Sequence, residues 1–278
     1  MKPDFSYSIT IKPQAGWINL NFKELWRYRE LFYIFVWRDI KVRYKQTAIG
    51  IIWAILQPFL MMVIFSVFFG RLAKIPSGDI PYPVFVFAGL LFWNYFSTSV
   101  SSASNAMVEH ENMIKKIYFP RLILPFSSSL TPMVDFCVAF IVLFGVMAYY
   151  HFVPNFFGIL LIPFLLIISF FTASGIGLFL SAINVKFRDV RYALPFFIQI
   201  LLFVTPVIYP TNIVPAQFQW LLALNPMTGV IEAARFSIFG SPIENPSLLL
   251  ISAISALVLF SIGILYFRKT ERFFADIV

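Results

Sequence analysis

Apolar residues run through this chain in six blocks divided by short polar segments: roughly Ala48–Phe69, Val84–Met107, Leu122–Tyr150, Phe156–Ala182, Tyr192–Tyr209 and Ser247–Phe267. At about 1.5 Å of rise per residue each block can cross a hydrocarbon core of about 30 Å, the fifth only marginally. Helices satisfy their own backbone groups without water, so all six are predicted as transmembrane α-helices. Ahead of them, Phe22, Leu25, Trp26, Phe32, Tyr33, Val36, Trp37, Ile40 and Tyr44 recur at intervals of three and four, the spacing of one helical face. Arg27, Arg38, Lys41 and Lys45 fall on the other side. After an irregular arm over 1–20, Asn21 is placed to cap this helix, Glu24 stands at its third position, and Leu20 and Leu25 are spaced as a hydrophobic staple. Trp and Tyr beside Lys and Arg is the composition of a helix lying in the headgroup layer. The apolar run Leu31–Trp37 covers only about 10 Å, too little for a seventh span.

The stretch WRDIKVRYKQTAIGIIWAILQP at 37–58 carries this surface helix almost unbroken into the first span. Such a join suits a device in which a push on a surface helix moves a spanning one. Pro58 removes a backbone hydrogen bond and predicts a kink, with Gln57 placed to serve a freed carbonyl or to face a pore. The second span is aromatic in its outer half (Phe85, Phe87, Phe92, Trp93, Tyr95, Phe96). Its inner half is rich in hydroxyls (Ser97, Thr98, Ser99, Ser101, Ser102, Ser104) and ends in Asn105, so it packs on another helix or lines a wet vestibule. In the fourth span Ala173, Gly177 and Ser181 form a small-residue stripe for close helix packing. The connector from Pro210 to Pro246 is too apolar for a plain loop and too broken by Pro215, Pro226, Gly229, Gly240 and Pro242 to span. It is predicted as a re-entrant helical pair over about 211–239, buried in protein or lining a cavity. Glu232 and Arg235, three apart, are placed to pair on one helical face.

Composition turns the pattern into a class. Apolar residues make up 60% and charged residues 12%, where a soluble domain carries about a quarter charged. The fold class is therefore all-α integral membrane: six transmembrane helices, an N-terminal amphipathic interface helix, and a re-entrant helical pair before the last span. Of 21 Lys and Arg, all but Arg71, Lys74 and Arg235 lie in the N-terminal region, the 108–121 and 183–191 loops and the C-terminal tail. The positive-inside rule then places both termini in the cytoplasm. The net charge of +8 reads as topology with contact to anionic membrane lipid. Its dispersal among short loops argues against nucleic acid. The first 30 residues are too mixed and polar for a cleavable signal peptide. The chain divides into an arm and interface helix (1–47), a transmembrane domain (48–267) and a cytoplasmic tail (268–278).

Catalysis is not expected of such a chain. No Gly-Lys dipeptide is present, so there is no P-loop, and no serine sits in a G-x-S-x-G elbow. His110 and His151 belong to loops on opposite sides, which excludes a His-rich metal site, and the single Cys137 excludes an internal disulfide. The spans hold one clear acid, Asp135, a candidate proton site or pore contact. The hydroxyls of Ser128, Ser129 and Thr131, one to two turns away, are expected to satisfy it. Two loops on the basic side stand out. In EHENMIKKIYFPRLILP, 109–125, the charges Glu109, Glu111, Lys115, Lys116 and Arg121 alternate with Met113, Ile114, Ile117, Tyr118 and Phe119 before Pro120 stops the short helix. A charged element with an exposed apolar knob suits docking in a groove on a soluble partner. The second loop, NVKFRDVRY at 184–192, is compact, with Arg188 and Asp189 at its centre.

Five segments in order, WRDIKVRYKQTAIGIIWAILQP (37–58), MIKKIYFPRLILP (113–125), NVKFRDVRYALP (184–195), TPVIYP (205–210) and LNPMTGVIEAAR (224–235), resemble the membrane subunits of ABC-2-type exporters of cell-surface polysaccharide. These are the O-antigen (Wzm-type), capsule and teichoic-acid permeases. The resemblance covers nearly the whole chain; Thr205 stands where the family often has Ser. It implies a homodimeric permease of the bacterial inner membrane with two cytoplasmic ATPase subunits, which would bind ATP and Mg, leaving this chain without a cofactor. The helix at 22–45, with Trp37, Arg38, Asp39, Lys41, Arg43 and Tyr44, would be the interface helix, and 109–121 the coupling helix. The first and fifth spans would border a channel at the dimer interface for a glycan on undecaprenyl diphosphate. Trp53, Phe59, Phe196, Phe203 and Tyr209 are candidates to stack on sugar rings beside Gln57, and Arg38, Lys41 or Arg43 to hold the diphosphate. Two other readings stand beside it: an exporter of the same superfamily for a drug or small lipid, and a proton-coupled carrier or membrane enzyme using Asp135.

Overall fold

The computed structural model describes residues 22–45, 50–240, 246–271 and 274. The arm, the Asn21 cap with its Leu20 staple, the join at 46–49, Pro242 and the last tail residues lie outside the described residues. Among the described residues the chain is helical throughout, without strands. The surface segment forms α1 (Phe22–Arg27) and α2 (Arg29–Lys45), parted by a turn at Tyr28. The first span is α3 (Gly50–Phe65), which runs through Pro58 and widens into a π-helical stretch at Ser66–Leu72. The second is α4 (Tyr82–Glu109), opened by Pro83 in its first turn, where no helical N–H is lost. The short α5 (Glu111–Ile114) follows it. The third span is split into α6 (Ile123–Leu130) and α7 (Met133–Tyr149) at Thr131-Pro132. The fourth comprises α8 (Phe156–Ile159) and α9 (Ile162–Lys186). The fifth is α10 (Val190–Val204), whose 15 residues rise only about 22 Å. The connector holds α11 (Gln219–Leu224) and α12 (Pro226–Phe239), and α13 (Pro246–Glu271) ends the described bundle. Five of the apolar blocks are long and apolar enough to cross a membrane; α10 is the shorter one.

The bundle is built around α4. Its most apolar window is 78% buried, against 17% for the first and last spans, so α4 is a core helix and those two keep open flanks. The aromatic half of α4 is packed inside, with Phe92 edge-on to Phe136 at 5.1 Å. The hydroxyl half packs on α6 and α9: Ser99 donates to the Ser129 carbonyl at 3.0 Å, and the Asn184 amide donates to the Ser104 carbonyl at 3.0 Å. Asn94 and Thr98 on the same helix line a cavity.

Small residues set the helix spacing. A Cβ at Gly177 would lie 2.5 Å from the Ala103 Cβ, so the Ala173–Gly177–Ser181 stripe receives α4. A second crossing escaped the stripe. A Cβ at Gly175 would stand 2.6 Å from the Phe260 nitrogen, and one at Gly263 2.1 Å from the Gly175 oxygen. There α9 and α13 touch backbone to backbone. We expect Gly175→Val to destabilise the bundle by about 1–3 kcal/mol or more, seen as a lowered unfolding temperature in detergent. Gly145→Ala, with open space around its Cβ, should leave that temperature unchanged.

Candidate functional site

The basic end of the bundle is tied together by side chains from segments far apart in sequence. On α2, Phe35 is buried and meets Phe119 edge-on at 5.8 Å, while Leu25, Tyr28, Leu31 and Phe32 pack on the same cluster. Trp26, Tyr33 and Trp37 point outward and are exposed. The surface segment thus has two apolar faces, one on the protein and one free, in place of the single face that the spacing predicts. Its cations are divided differently as well. Arg38 turns inward to Asp39 at 2.7 Å and to His110 Nε2, whose Nδ1 sits 2.9 Å from the Ala106 carbonyl. Lys41 lies 5.0 Å over the Trp37 ring on the exposed side.

Arg43 reaches into the bundle. Its Nη2 lies 2.6 Å from Asp135 Oδ2, and the Tyr44 hydroxyl donates to Asp135 Oδ1. This corrects the expectation for Asp135. Ser129 and Thr131 donate to carbonyls one turn back in their own helix, and the carboxylate is held from α2. Burial, and the carboxylate it serves, push the Tyr44 phenol above its ordinary value, so it remains a donor. A cavity of about 200 Å³ opens at this pair, lined also by Trp53, Gln57, Pro58, Asn94 and Thr98. A second, of about 360 Å³, runs under α2 past Arg38, Glu109, His110 and Ser128, and Arg43 lines both.

The loop after α4 is also corrected in part. Ile114 and Phe119 are buried in the cluster around Phe35, and Met113 packs against it. The exposed knob is Ile117 and Tyr118, 60% and 66% exposed. The charges brace the loop. Glu111 holds Lys115 at 2.7 Å and lies 3.6 Å from Arg188 of the second loop. Arg121 donates to the Glu271 carbonyl at 2.6 Å, and the Tyr118 hydroxyl to Glu24 at 3.3 Å. The hydrogen bond from Lys115 holds the Glu111 carboxyl below its ordinary value. The loop-to-loop link is therefore present at neutral pH and lost only as pH falls through that lowered value. Glu109, Lys116 and Asp189 are exposed at the same end.

The aromatic candidates do not converge within one chain. Trp53 faces the cavity, while Phe59, Phe196 and Phe203 are exposed on the flanks of α3 and α10. Tyr209 folds back, its hydroxyl donating to the Val204 carbonyl at 2.9 Å. At the far end Arg235 is buried, with its guanidinium 3.6 Å over the Phe85 ring, and donates to the carbonyls of Pro206 at 2.9 Å and Val207 at 2.7 Å. Glu232 accepts from Thr211. The two residues that spacing set side by side are thus both drawn into the 205–211 turn.

A polytopic helical membrane protein with a braced, charged face at one end is the class that this geometry defines. Residues 30–239 match the ABC-2 type transporter family, and the chain belongs to that family. It is similar to the O-antigen export system permease protein RfbA of Myxococcus xanthus, 29% identical over 256 residues that cover 90% of this chain and 96% of that one. The protein of the same description from Klebsiella pneumoniae is 27% identical over 249 residues, 90% and 95% of the two chains. The polysialic acid transport protein KpsM of Escherichia coli is 25% identical over 238 residues, 84% and 91%. Within the 109–121 loop, Phe119→Ala should cost about 3–5 kcal/mol as a buried ring is lost. Tyr118→Ala should stay within about 0.5 kcal/mol, both read from denaturation of the purified protein.

Proposed function

We propose that this chain is the membrane permease subunit of an ATP-driven exporter that moves a lipid-linked, O-antigen-like polysaccharide out of the cytoplasm. The observation that carries the proposal is the near full-length similarity to permeases named for O-antigen and polysialic acid export. In this reading the basic end faces the cytoplasm, since the N-terminal region, the 108–121 and 183–191 loops and the C-terminal tail carry 18 of the 21 Lys and Arg of the sequence. Two copies form the transporter, and two ATPase subunits, which hold ATP and Mg, dock on Ile117 and Tyr118. The open aromatic flanks of α3 and α10 then face each other across the dimer as a channel wall. Rings such as Phe59, Phe196 and Phe203 stack on sugar faces without fixing a register, so a glycan slides past them. The α11–α12 pair forms the outer mouth.

The geometry supports a stroke of the following kind. A push on the 111–119 loop reaches α2 through Phe119 and Phe35, and α2 is bonded through Arg43 and Tyr44 to α7 at Asp135. Closure of the ATPases therefore moves α2 and α7 together beside the Pro58 region of α3. A carrier that uses Asp135 for protons is disfavoured, because both carboxylate oxygens are already engaged. Co-expression with an ABC ATPase subunit from the same host is expected to yield a stable complex that hydrolyses ATP. Ile117→Ala/Tyr118→Ala should lose the ATPase on purification while the permease stays folded. Deleting the chain from its host should leave lipid-linked glycan inside the inner membrane. Normal surface glycan in the deletion strain would sink the proposal.

A further inference from the structure

Arg43 of the Arg43–Asp135 pair lines two cavities. One, of about 360 Å³, follows the underside of α2 from the basic end; the other, of about 200 Å³, reaches Gln57 and Pro58 of α3. We propose that Arg43 is a phosphate subsite on the loading path, and that Asp135 occupies it in the empty permease until an anionic lipid headgroup takes its place. The inference rests on the lipid-linked cargo proposed above and names how that cargo is sensed.

Three features support an exchange over a fixed structural ion pair. The planar fork of a guanidinium donates to carboxylate or phosphate oxygens in the same geometry, and phosphate brings more charge. Asp135 therefore presents to Arg43 the chemistry that a diphosphate would present. The carboxylate is also not stranded when Arg43 leaves it, because the Tyr44 hydroxyl holds its other oxygen. Exchange thus leaves the partly buried carboxylate one hydrogen bond, and the cost of losing its counter-charge is offset by the stronger attraction of the phosphate for Arg43. Finally, there is room. Liquid water takes about 30 Å³ per molecule, so the smaller cavity holds a phosphate with its waters, beside the Asn94, Thr98 and Gln57 side chains that line it.

Exchange has a mechanical result. With Asp135 engaged by Arg43 and Tyr44, the end of α2 is tied to α7 by an ion pair and a hydrogen bond; with a headgroup on Arg43, only the Tyr44 hydrogen bond remains. Loading and the loosening of that tie become one event, and the empty transporter is held more tightly at rest.

The test uses the permease–ATPase complex in phosphatidylcholine nanodiscs, with ATP hydrolysis read against farnesyl diphosphate, farnesol and inorganic pyrophosphate. For the wild type a low basal rate is expected, raised by farnesyl diphosphate and by neither of the others. Asp135→Asn should raise the basal rate several-fold and lower the half-maximal farnesyl diphosphate concentration several-fold, since the competitor is gone. Asp135→Glu should keep the low basal rate, and Arg43→Gln should abolish the response to the lipid. The swap Arg43→Asp/Asp135→Arg should restore a low basal rate, which separates the latch from folding. If Asp135→Asn matches wild type in basal rate and half-maximal concentration, the exchange is wrong while the cargo reading stands. If pyrophosphate acts as well as the lipid, the site takes free anions and the loading role falls. If the wild type ignores every lipid diphosphate, the cargo reading fails and the exchange with it.

Discussion

Inside a bilayer a carbonyl without a helical partner finds no water, and each one left alone costs several kcal/mol. The fifth span creates this situation for itself. Its helix stops at Val204, and the next six residues include two prolines. The rest of the far end is arranged around that broken backbone. Arg235 serves the Pro206 and Val207 carbonyls, Tyr82 serves Ile208 at 2.7 Å, and the Asn225 amide reaches the Thr205 hydroxyl at 2.7 Å. These demands make α12 a buried helix. They also keep Gly89 small, where a Cβ would meet Arg235 Nη2 and the Val207 oxygen at 3.1 Å. Gly229 is small for the neighbouring crossing with Ser252 and Leu248.

The opposite end follows a different logic. No single contact there is strong, since exposed ion pairs contribute little. The strength lies in connection: ring on ring between Phe35 and Phe119, Glu111 between two loops, Arg121 on the end of α13, and Arg43 and Tyr44 on α7. Through these contacts the loop around the four-residue α5 is joined to α2 and α13, and α2 in turn to α7.

Much of this was legible beforehand, because the bilayer enforces it. The apolar blocks mark the spans, and the prolines and glycines of 210–246 mark the broken connector. What stayed hidden was contact over long separations. Intervals of three and four show that α2 is apolar, yet they do not say which of its rings turn toward Phe119. Local spacing made Ser129 and Thr131 the partners of Asp135, because sequence shows neighbours; the guanidinium and phenol that hold it come from 92 and 91 residues away. Alternating charges singled out 109–121 but did not show which of its hydrophobes are buried. The Gly175–Gly263 touch needs two helices at once, and neither glycine carries a pattern alone.

Arg235 also constrains the order in which the protein is made. The fifth span leaves the ribosome some 30 residues before the arginine that completes it, so its last carbonyls wait without their partner. That span is both the shortest and the one with an open end, and thus the one least able to settle in lipid alone. The Pro206 and Val207 carbonyls gain their donor only when α12 folds back and delivers the guanidinium over Phe85. The far end is therefore complete only with α12 in place, and a chain truncated before residue 235 would lack the donor for both carbonyls.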